Sequence, residues 1–387
     1  MNYTATHNPR RHSHMHPPHA NAVLGWIKKN AVLCIAFVLA IVTSCIIPPD
    51  EAYKSYFDWK TLSCLFSVLA VVCALKNIRF FTVLARKIVS LTGNLRTAVI
   101  ALIYITFIGS MLIANDMALL TFLPLGYFVL TATQNERYMA PVFILQNIAA
   151  NLGGMLTPFG NPQNLYIYSY FNIPAGEFMK IMLPTFLLAV ILITVCCMFF
   201  PRASIQLTDT FDVKLSPKRT AFYLALFALS IVMVFRVIPY FAGLILIVLG
   251  LLFTDRKALR AVDYPLLLTF VCFFIFAGNM SRIPLVSQLL TDLMTKNPLL
   301  VSISSCQVIS NVPTAILLSR FTGDYRSLLV GVNIGGTGTL ISSLASLITF
   351  REYTAHNPNK AGRYIALFSA FNFGFLIIMT LFATITL

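Results

Sequence analysis

The stretch NLGGMLTPFGNPQNL, residues 151–165, lies inside a long apolar run from Met139 to Phe171. The flanks suit the interior of a bilayer, yet the stretch holds two prolines, Pro158 and Pro162, and four amides, Asn151, Asn161, Gln163 and Asn164. Backbone that leaves a helix within lipid bares N–H and C=O groups. Each costs on the order of several kcal/mol, so such backbone persists only where it faces protein, water or a ligand. Gly153, Gly154 and Gly160 let the chain turn and let a ligand come close. Packing between membrane helices also uses Gly and Ser, but it does not explain prolines and amides together. The stretch is read as a broken membrane helix that lines a binding site.

The pattern returns in the second half of the chain. Asn151-Leu-Gly153-Gly154 aligns without gaps on Asn333-Ile-Gly335-Gly336, Thr157 on Thr339, and Asn164-Leu165 on Ser346-Leu347. The second copy, NIGGTGTLISS, also carries Thr337 and Gly338 and is less polar. Upstream of each copy is an apolar stretch with a polar centre: NDMALL from Asn115, and NVPTAILL from Asn311. Both are read as re-entrant hairpins, with tips at Asn115–Asp116 and Ser310–Asn311, entering from opposite faces; for the first, the alternative is that Ala98–Ile113 and Met117–Leu130 are each full spans. The expected fold is thus an all-α polytopic membrane protein of about 10–11 membrane segments. It is built as two inverted repeats, each with a re-entrant hairpin and a broken helix. Interrupted runs in matching positions of two halves point to a transporter's binding site. Half-helix N-termini at each break carry partial positive charge suited to an anion, and the facing carbonyls suit Na⁺.

Composition agrees. The 387 residues are 58% hydrophobic and 11% charged, with a mean hydropathy of +0.81, against about 25% charged in soluble domains. The net charge of +15 is read through the positive-inside rule rather than as a nucleic-acid surface. With the N-terminus cytoplasmic and the hairpins as above, 20 of the 28 Lys and Arg fall on the cytoplasmic side. The expected divisions are a disordered cytoplasmic tail (1–28), a first repeat (29–200), a cytoplasmic linker (201–219) and a second repeat (220–387). No cleavable signal peptide is expected, because the first apolar run follows a polar tail holding five of the six histidines. All eight cysteines lie in apolar stretches without zinc-site spacing and read as small fillers. No histidine falls within a predicted span, and His356 is placed in a loop, which argues against an intramembrane enzyme. No metal centre or cofactor is expected beyond Na⁺ as a candidate coupling ion.

Asp116 is the one acidic residue placed deep; the other twelve fall at span ends or in loops. A carboxylate at the centre of a membrane helix costs about 2.5–3.5 kcal/mol even on the lenient insertion scale. Its candidate roles are Na⁺ ligand or proton carrier, against a structural Asp paired with Asn115. The candidate substrate- and ion-binding residues are Asn115, Asp116, Asn147, Asn151, Gly153, Gly154, Thr157, Gly160, Asn161, Pro162, Gln163 and Asn164 in the first repeat. In the second they are Ser310, Asn311, Pro313, Asn333, Gly335, Gly336, Thr337, Gly338 and Thr339. Asn279, near the end of FIFAGNM, is expected to reach the same cavity.

At IANDMALLTFLPL, GNPQNL, QVISNVPTAILL and GVNIGGTGTLISSLASLI the chain resembles the citrate transporter-like and arsenical-pump permease families of the ion transporter superfamily, relatives of the divalent anion–sodium symporters. The resemblance implies a scaffold domain and a transport domain, a homodimer, and elevator-type alternating access with substrate bound at the hairpin tips and breaks. Sodium–dicarboxylate members typically carry Ser-Asn-Thr at both tips. This chain has Ala114-Asn115-Asp116 and Ser310-Asn311-Val312, and an acidic first tip is closer to the arsenite permease and sodium–proton antiporter branches. The resulting expectation is a secondary active transporter of a small anion or carboxylate, coupled to H⁺ or Na⁺. The alternative is an arsenite/antimonite-type efflux permease or a sodium/proton antiporter. Its place is the inner (plasma) membrane of a prokaryote, its partners the small anionic substrate and the lipid bilayer.

Overall fold

Apolar runs free of clustered glycine and proline fold as helices, since a helix satisfies its own backbone within lipid. The computed structural model describes residues 25–26, 30–205 and 215–387. The expectations for most of the N-terminal tail and for the middle of the linker therefore lie outside the described residues. The helices are α1 (Ala31–Ile46), α2 (Trp59–Asn77), α3 (Phe80–Ser90), α4 (Leu95–Ile113), α5 (Asn115–Ala132), α6 (Met139–Gly153), α7 (Pro162–Tyr170), α8 (Ala175–Met198) and α9 (Pro217–Val234). They continue as α10 (Tyr240–Thr254), α11 (Arg256–Arg260), α12 (Tyr264–Arg282), α13 (Pro284–Lys296), α14 (Pro298–Ile309), α15 (Asn311–Leu318), α16 (Tyr325–Ile334), α17 (Leu344–His356) and α18 (Ala361–Thr386). Among the described residues, eight helices are long and apolar enough to cross a membrane. The only strand-like pairing among them is an isolated bridge between Asn94 and Ser204. This is an all-α polytopic membrane protein.

Acidic and amide side chains mark where helices start. Asp58, Asn94, Asp255, Asp263, Asn297 and Asp324 each accept a hydrogen bond from a backbone N–H two or three residues into the helix they cap, at 2.9–3.1 Å. Carboxylates favour that end of the helix dipole, which accounts for the placement of Asp58, Asp255, Asp263 and Asp324 at helix starts. Asp50, in the loop after α1, receives both terminal nitrogens of Arg282 at 3.0 and 2.6 Å. The Arg282 hydrogen bond holds its carboxyl below the usual carboxylate range. A group depressed in this way keeps its contribution at neutral and mildly acid pH and loses it only as pH falls through the lowered value.

Ring and side-chain contacts fix the direction of the two halves. The end of α17 lies beside the start of α6: His356 stacks on Tyr127 with centroids 3.7 Å apart, and Asn357 Nδ2 lies 3.3 Å from Met139 Sδ. The end of α7 lies beside the start of α16, where Phe171 and Tyr325 are 5.7 Å apart and Tyr166 Oη bonds Ser319 Oγ at 2.8 Å. Each half of one broken helix thus runs antiparallel to the opposite half of the other. That is the geometry of an inverted repeat. Equivalent packing follows: α4 on α6 matches α14 on α16, α5 on α17 matches α15 on α7, and α1 on α12 matches α10 on α2. The helix α9 has no counterpart in these pairs. The apolar faces of α1, α8, α10 and α18 stay uncovered, for example at Phe37, Ile191, Phe253 and Ile377, as lipid-facing helices require.

Two features differ from the sequence reading. His356 is the last residue of α17, which is capped by Asn357 just before Pro358. Asn279 does not reach the cavity. Its Nδ2 lies 3.3 Å from Thr43 Oγ1, 3.3 Å from Ser44 Oγ and 2.9 Å from Tyr53 Oη. It is fully buried and ties α12 to α1 and the loop beyond it. Its position near the end of a span had suggested the cavity, but a buried amide there serves to join two helices.

Candidate functional site

The hairpin tips are near copies of each other. The chain reverses at one residue in each: Ala114 with φ 67° and ψ 151°, and Ser310 with φ 72° and ψ 159°. That region is essentially reserved for glycine and costs other residues on the order of 1–3 kcal/mol, a strain that clusters at functional sites. The next residue, Asn115 or Asn311, turns its Oδ1 back to accept the following backbone N–H, from Asp116 or Val312, at 2.9 Å in both.

The breaks match as closely. Thr157 Oγ1 donates to the Met111 carbonyl at 2.8 Å, and Thr339 Oγ1 to the Gln307 carbonyl at 3.0 Å, each three residues before the reversing residue, Ala114 or Ser310. Gly160 N–H reaches the Thr157 carbonyl and Ser342 N–H the Thr339 carbonyl, both at 3.2 Å. The second half-helices start from extended residues at equivalent positions, Asn161 and Ser343. In the first break the freed carbonyls of Gly154, Met155 and Thr157 accept from Asn164 Nδ2 at 3.1–3.3 Å. In the second, Gln307 Nε2 serves the carbonyls of Gly335 and Thr337 at 2.9 and 3.1 Å, and its Oε1 takes the Thr339 N–H. Gly338, at φ 117°, lies directly over that Gln307 amide. The polar side chains at the breaks thus answer the broken backbone, as lipid demands.

Amides also join the two repeats. Asn333 Nδ2 donates to Asn164 Oδ1 at 2.6 Å, and Asn161 Nδ2 lies 3.3 Å from Asn333 Oδ1. Asn151 Oδ1 accepts from Asn115 Nδ2 at 3.1 Å and from Ser343 Oγ at 2.8 Å, tying the first tip to the second break. Replacing Asn333 with Ala leaves a buried donor and a buried acceptor unmet. The expected cost is about 1–3 kcal/mol, read as a lower thermal unfolding midpoint in detergent. An unchanged midpoint would show that the junction is not held by this residue.

Where tips and breaks converge lies a cavity of about 40 Å³. Seven of the predicted residues line it: Asn115, Asp116, Pro162, Gln163, Ser310, Asn311 and Pro313. Gly153, Gly154, Thr157, Gly160, Asn161, Asn164, Asn333, Gly335, Gly336, Thr337, Gly338 and Thr339 form the frame behind it. Asn147 is deeper still, with its Nδ2 3.3 Å from Ser346 Oγ and 3.5 Å from Asn372 Oδ1. The cavity also takes Val32 from α1, Leu266 and Thr269 from α12, and Val312, Ser343 and Leu344. Ser343 was legible, being the equivalent of Asn161 in the ungapped alignment. Val32, Leu266 and Thr269 sit in ordinary apolar spans and carry no signal in the sequence.

The electrostatics are set by backbone. The lining includes residues at the start of four helices: Asn115 and Asp116 of α5, Pro162 and Gln163 of α7, Asn311 to Pro313 of α15, and Ser343 and Leu344 at α17. Each N-terminus carries about half a positive charge. Four meeting at one cavity create a field that favours an anion or an oxygen-rich ligand. Asp116 is the only acidic or basic side chain in the lining. Its Oδ1 and Gln163 Oε1 are buried without any hydrogen-bond donor.

These features meet an independent comparison. A family model for citrate transporters matches residues 21–323. The chain belongs to the citrate transporter family. It is 31% identical over 346 residues to an uncharacterized transporter of Methanocaldococcus jannaschii, covering 88% of this chain and 93% of that one. It is 29% identical over 315 residues to an inner membrane protein of Escherichia coli, with 78% and 82% covered. A silicon efflux transporter of Oryza sativa subsp. japonica is 30% identical over 177 residues, 45% of this chain and 36% of that protein. The chain is a membrane transporter, and the cavity between its inverted halves is the candidate binding site.

Proposed function

We propose that this member of the citrate transporter family is a secondary active transporter of a small oxyanion or carboxylate, coupled to H⁺ or Na⁺ through Asp116 and working by alternating access. The observation that carries the reading is the convergence of four helix N-termini on a cavity whose one carboxylate is unpartnered. The helix ends attract the anion without a basic clamp, and Asp116 supplies a negative charge that a coupling cation neutralises. Substrate and cation then favour each other's binding, which is the thermodynamic content of coupling.

The lining suggests how access alternates. Tips and breaks contribute most of the cavity, while α1 and α12 close one side. Movement of tips and breaks against α1, α2, α10 and α12 would carry the site across in the elevator manner. Contacts between these parts would have to yield. Arg236 donates to the Tyr168 and Ile173 carbonyls at the end of α7, and Arg320 donates to the Tyr56 carbonyl at 3.0 Å.

Size favours a second reading. A cavity of about 40 Å³ holds roughly three water molecules, less than a six-carbon tricarboxylate needs. The rice relative bears the name of a silicon efflux transporter, and a small hydroxylated acid such as arsenite or silicate fits the space. A thermal-shift screen of the purified protein against carboxylates, oxyanions, arsenite and silicate tests the reading. Stabilisation by one class that saturates is the expected result; a flat response to every class would contradict it. Host growth on arsenite or antimonite, with and without expression, tests the efflux form. A gain in tolerance supports it, and no gain counts against it.

A further inference from the structure

The inverted repeat supplies its own control, because each cavity residue from one half has a counterpart in the other. Asn115 matches Asn311 with the same backbone and the same side-chain bond. Asn161 matches Ser343, both starting a half-helix from extended backbone. Asn161 Oδ1 also lacks a donor but lies behind the cavity; within the lining the match fails at the two residues whose side-chain oxygens lack one. The counterpart of Asp116 is Val312, and that of Gln163 is Ala345.

The geometry points to one monovalent-cation site per protomer, in the first repeat, built on Asp116 and Gln163, with the second repeat contributing no equivalent. Resting on the proposed transport function, this sets the coupling at one cation per cycle. Both side-chain oxygens are buried at a shared cavity and accept no hydrogen bond. A buried acceptor without a donor is costly unless a ligand completes it. Nearby hydroxyls can add acceptor lone pairs, since Thr269, Ser310 and Ser343 already donate their protons to Pro265, Ser342 and Asn151. Val312 and Ala345 offer no side-chain oxygen, so beyond the Ser310, Asn311 and Ser343 side chains the second half presents its helix N-termini and no orphaned acceptor. The cavity is therefore divided, with the cation on the first-repeat side and the anion against α15 and α17. No second acidic side chain and no basic one lines the cavity among the described residues; Asp263, at the start of α12, is the charged group whose field reaches Asp116.

The cation is H⁺ or Na⁺, and the test separates them without any substrate. The full-length protein in detergent is melted across a NaCl series balanced with choline chloride, and across a pH series in choline chloride alone. In each arm the unmodified protein and each variant are melted separately and their responses compared. The expected result is a saturable stabilisation in one arm with a Hill coefficient near one, absent from Asp116→Asn and kept in Asp116→Glu. In Gln163→Ala the half-saturating cation concentration should rise by about tenfold or more. If Asp116→Asn fails to fold, the shift in Gln163→Ala alone decides. A Hill coefficient near two, an unshifted Gln163→Ala, or no response in either arm overturns the proposal. Those outcomes leave the transport function standing. Normal cation binding with no substrate flux would count against the transport function instead.

Discussion

Asp116→Asn is expected to abolish cation-driven flux in proteoliposomes while leaving the protein folded. Asn keeps the shape of Asp and can still follow Asn115 into the first turn of α5, so the tip geometry should survive. What is removed is the one charge in the cavity lining. Four helix N-termini then face the anion with nothing to bind or release a cation. Substrate binding should therefore persist or tighten, while accumulation against a gradient disappears. Unchanged gradient-driven flux in this variant would show that coupling runs elsewhere. Loss of the folded protein, seen as a lost monodisperse peak, would instead assign Asp116 a structural part.

Gly153→Ala is the second substitution with a large expected effect, and it acts through space rather than charge. A Cβ at Gly153 would collide with the Phe107 carbonyl in α4 and lie 2.6 Å from Ser110 Oγ. Backbone cannot swing aside, so α4 must move off α6 and carry the first tip with it. Overpacking of this kind typically costs about 1–3 kcal/mol. The expected outcome is a clearly lower thermal midpoint together with weakened substrate binding. Gly176, near the start of α8, is the natural control, because nothing lies within 4 Å of a Cβ there. Gly176→Ala should leave stability unchanged or slightly raised. Equal midpoints for the two variants would contradict the close approach of α4 and α6.

The contrast between these glycines shows what sequence could convey. Gly153 and Gly335 stood out because they repeat at one spacing beside asparagines, and in the structure both face the first arm of their own hairpin. Asp116 stood out through the energetics of lipid, which make any deep carboxylate conspicuous. The sequence also carried the inversion, since the two copies needed opposite faces to satisfy the charge bias. It could not convey which residues close the cavity from the far side. Thr269 looks like any threonine in a span, and its place at the cavity depends on how α12 lies against the tips. The surface helices α3 and α13 were missed for a related reason. Each mixes charged with apolar residues over little more than ten positions, too short and too polar for a span-length apolar run. Nor did sequence separate the residues that touch the cavity from those that repair the breaks. Asn164 and Gln163 are neighbours with the same chemistry, yet one satisfies backbone carbonyls and the other faces the cavity.

The account turns on one cavity, shared by two inverted halves, moving a small anion or oxoacid with a cation. Accumulation in proteoliposomes tests it most directly, following carboxylates by radiolabel and arsenite or silicate by elemental analysis, under an imposed H⁺ or Na⁺ gradient. The account predicts that one class concentrates beyond its external level, saturates with concentration, and leaks back when an ionophore dissipates the gradient. Equilibration of solutes without regard to the gradient, or exclusion of every class under both gradients, would contradict it.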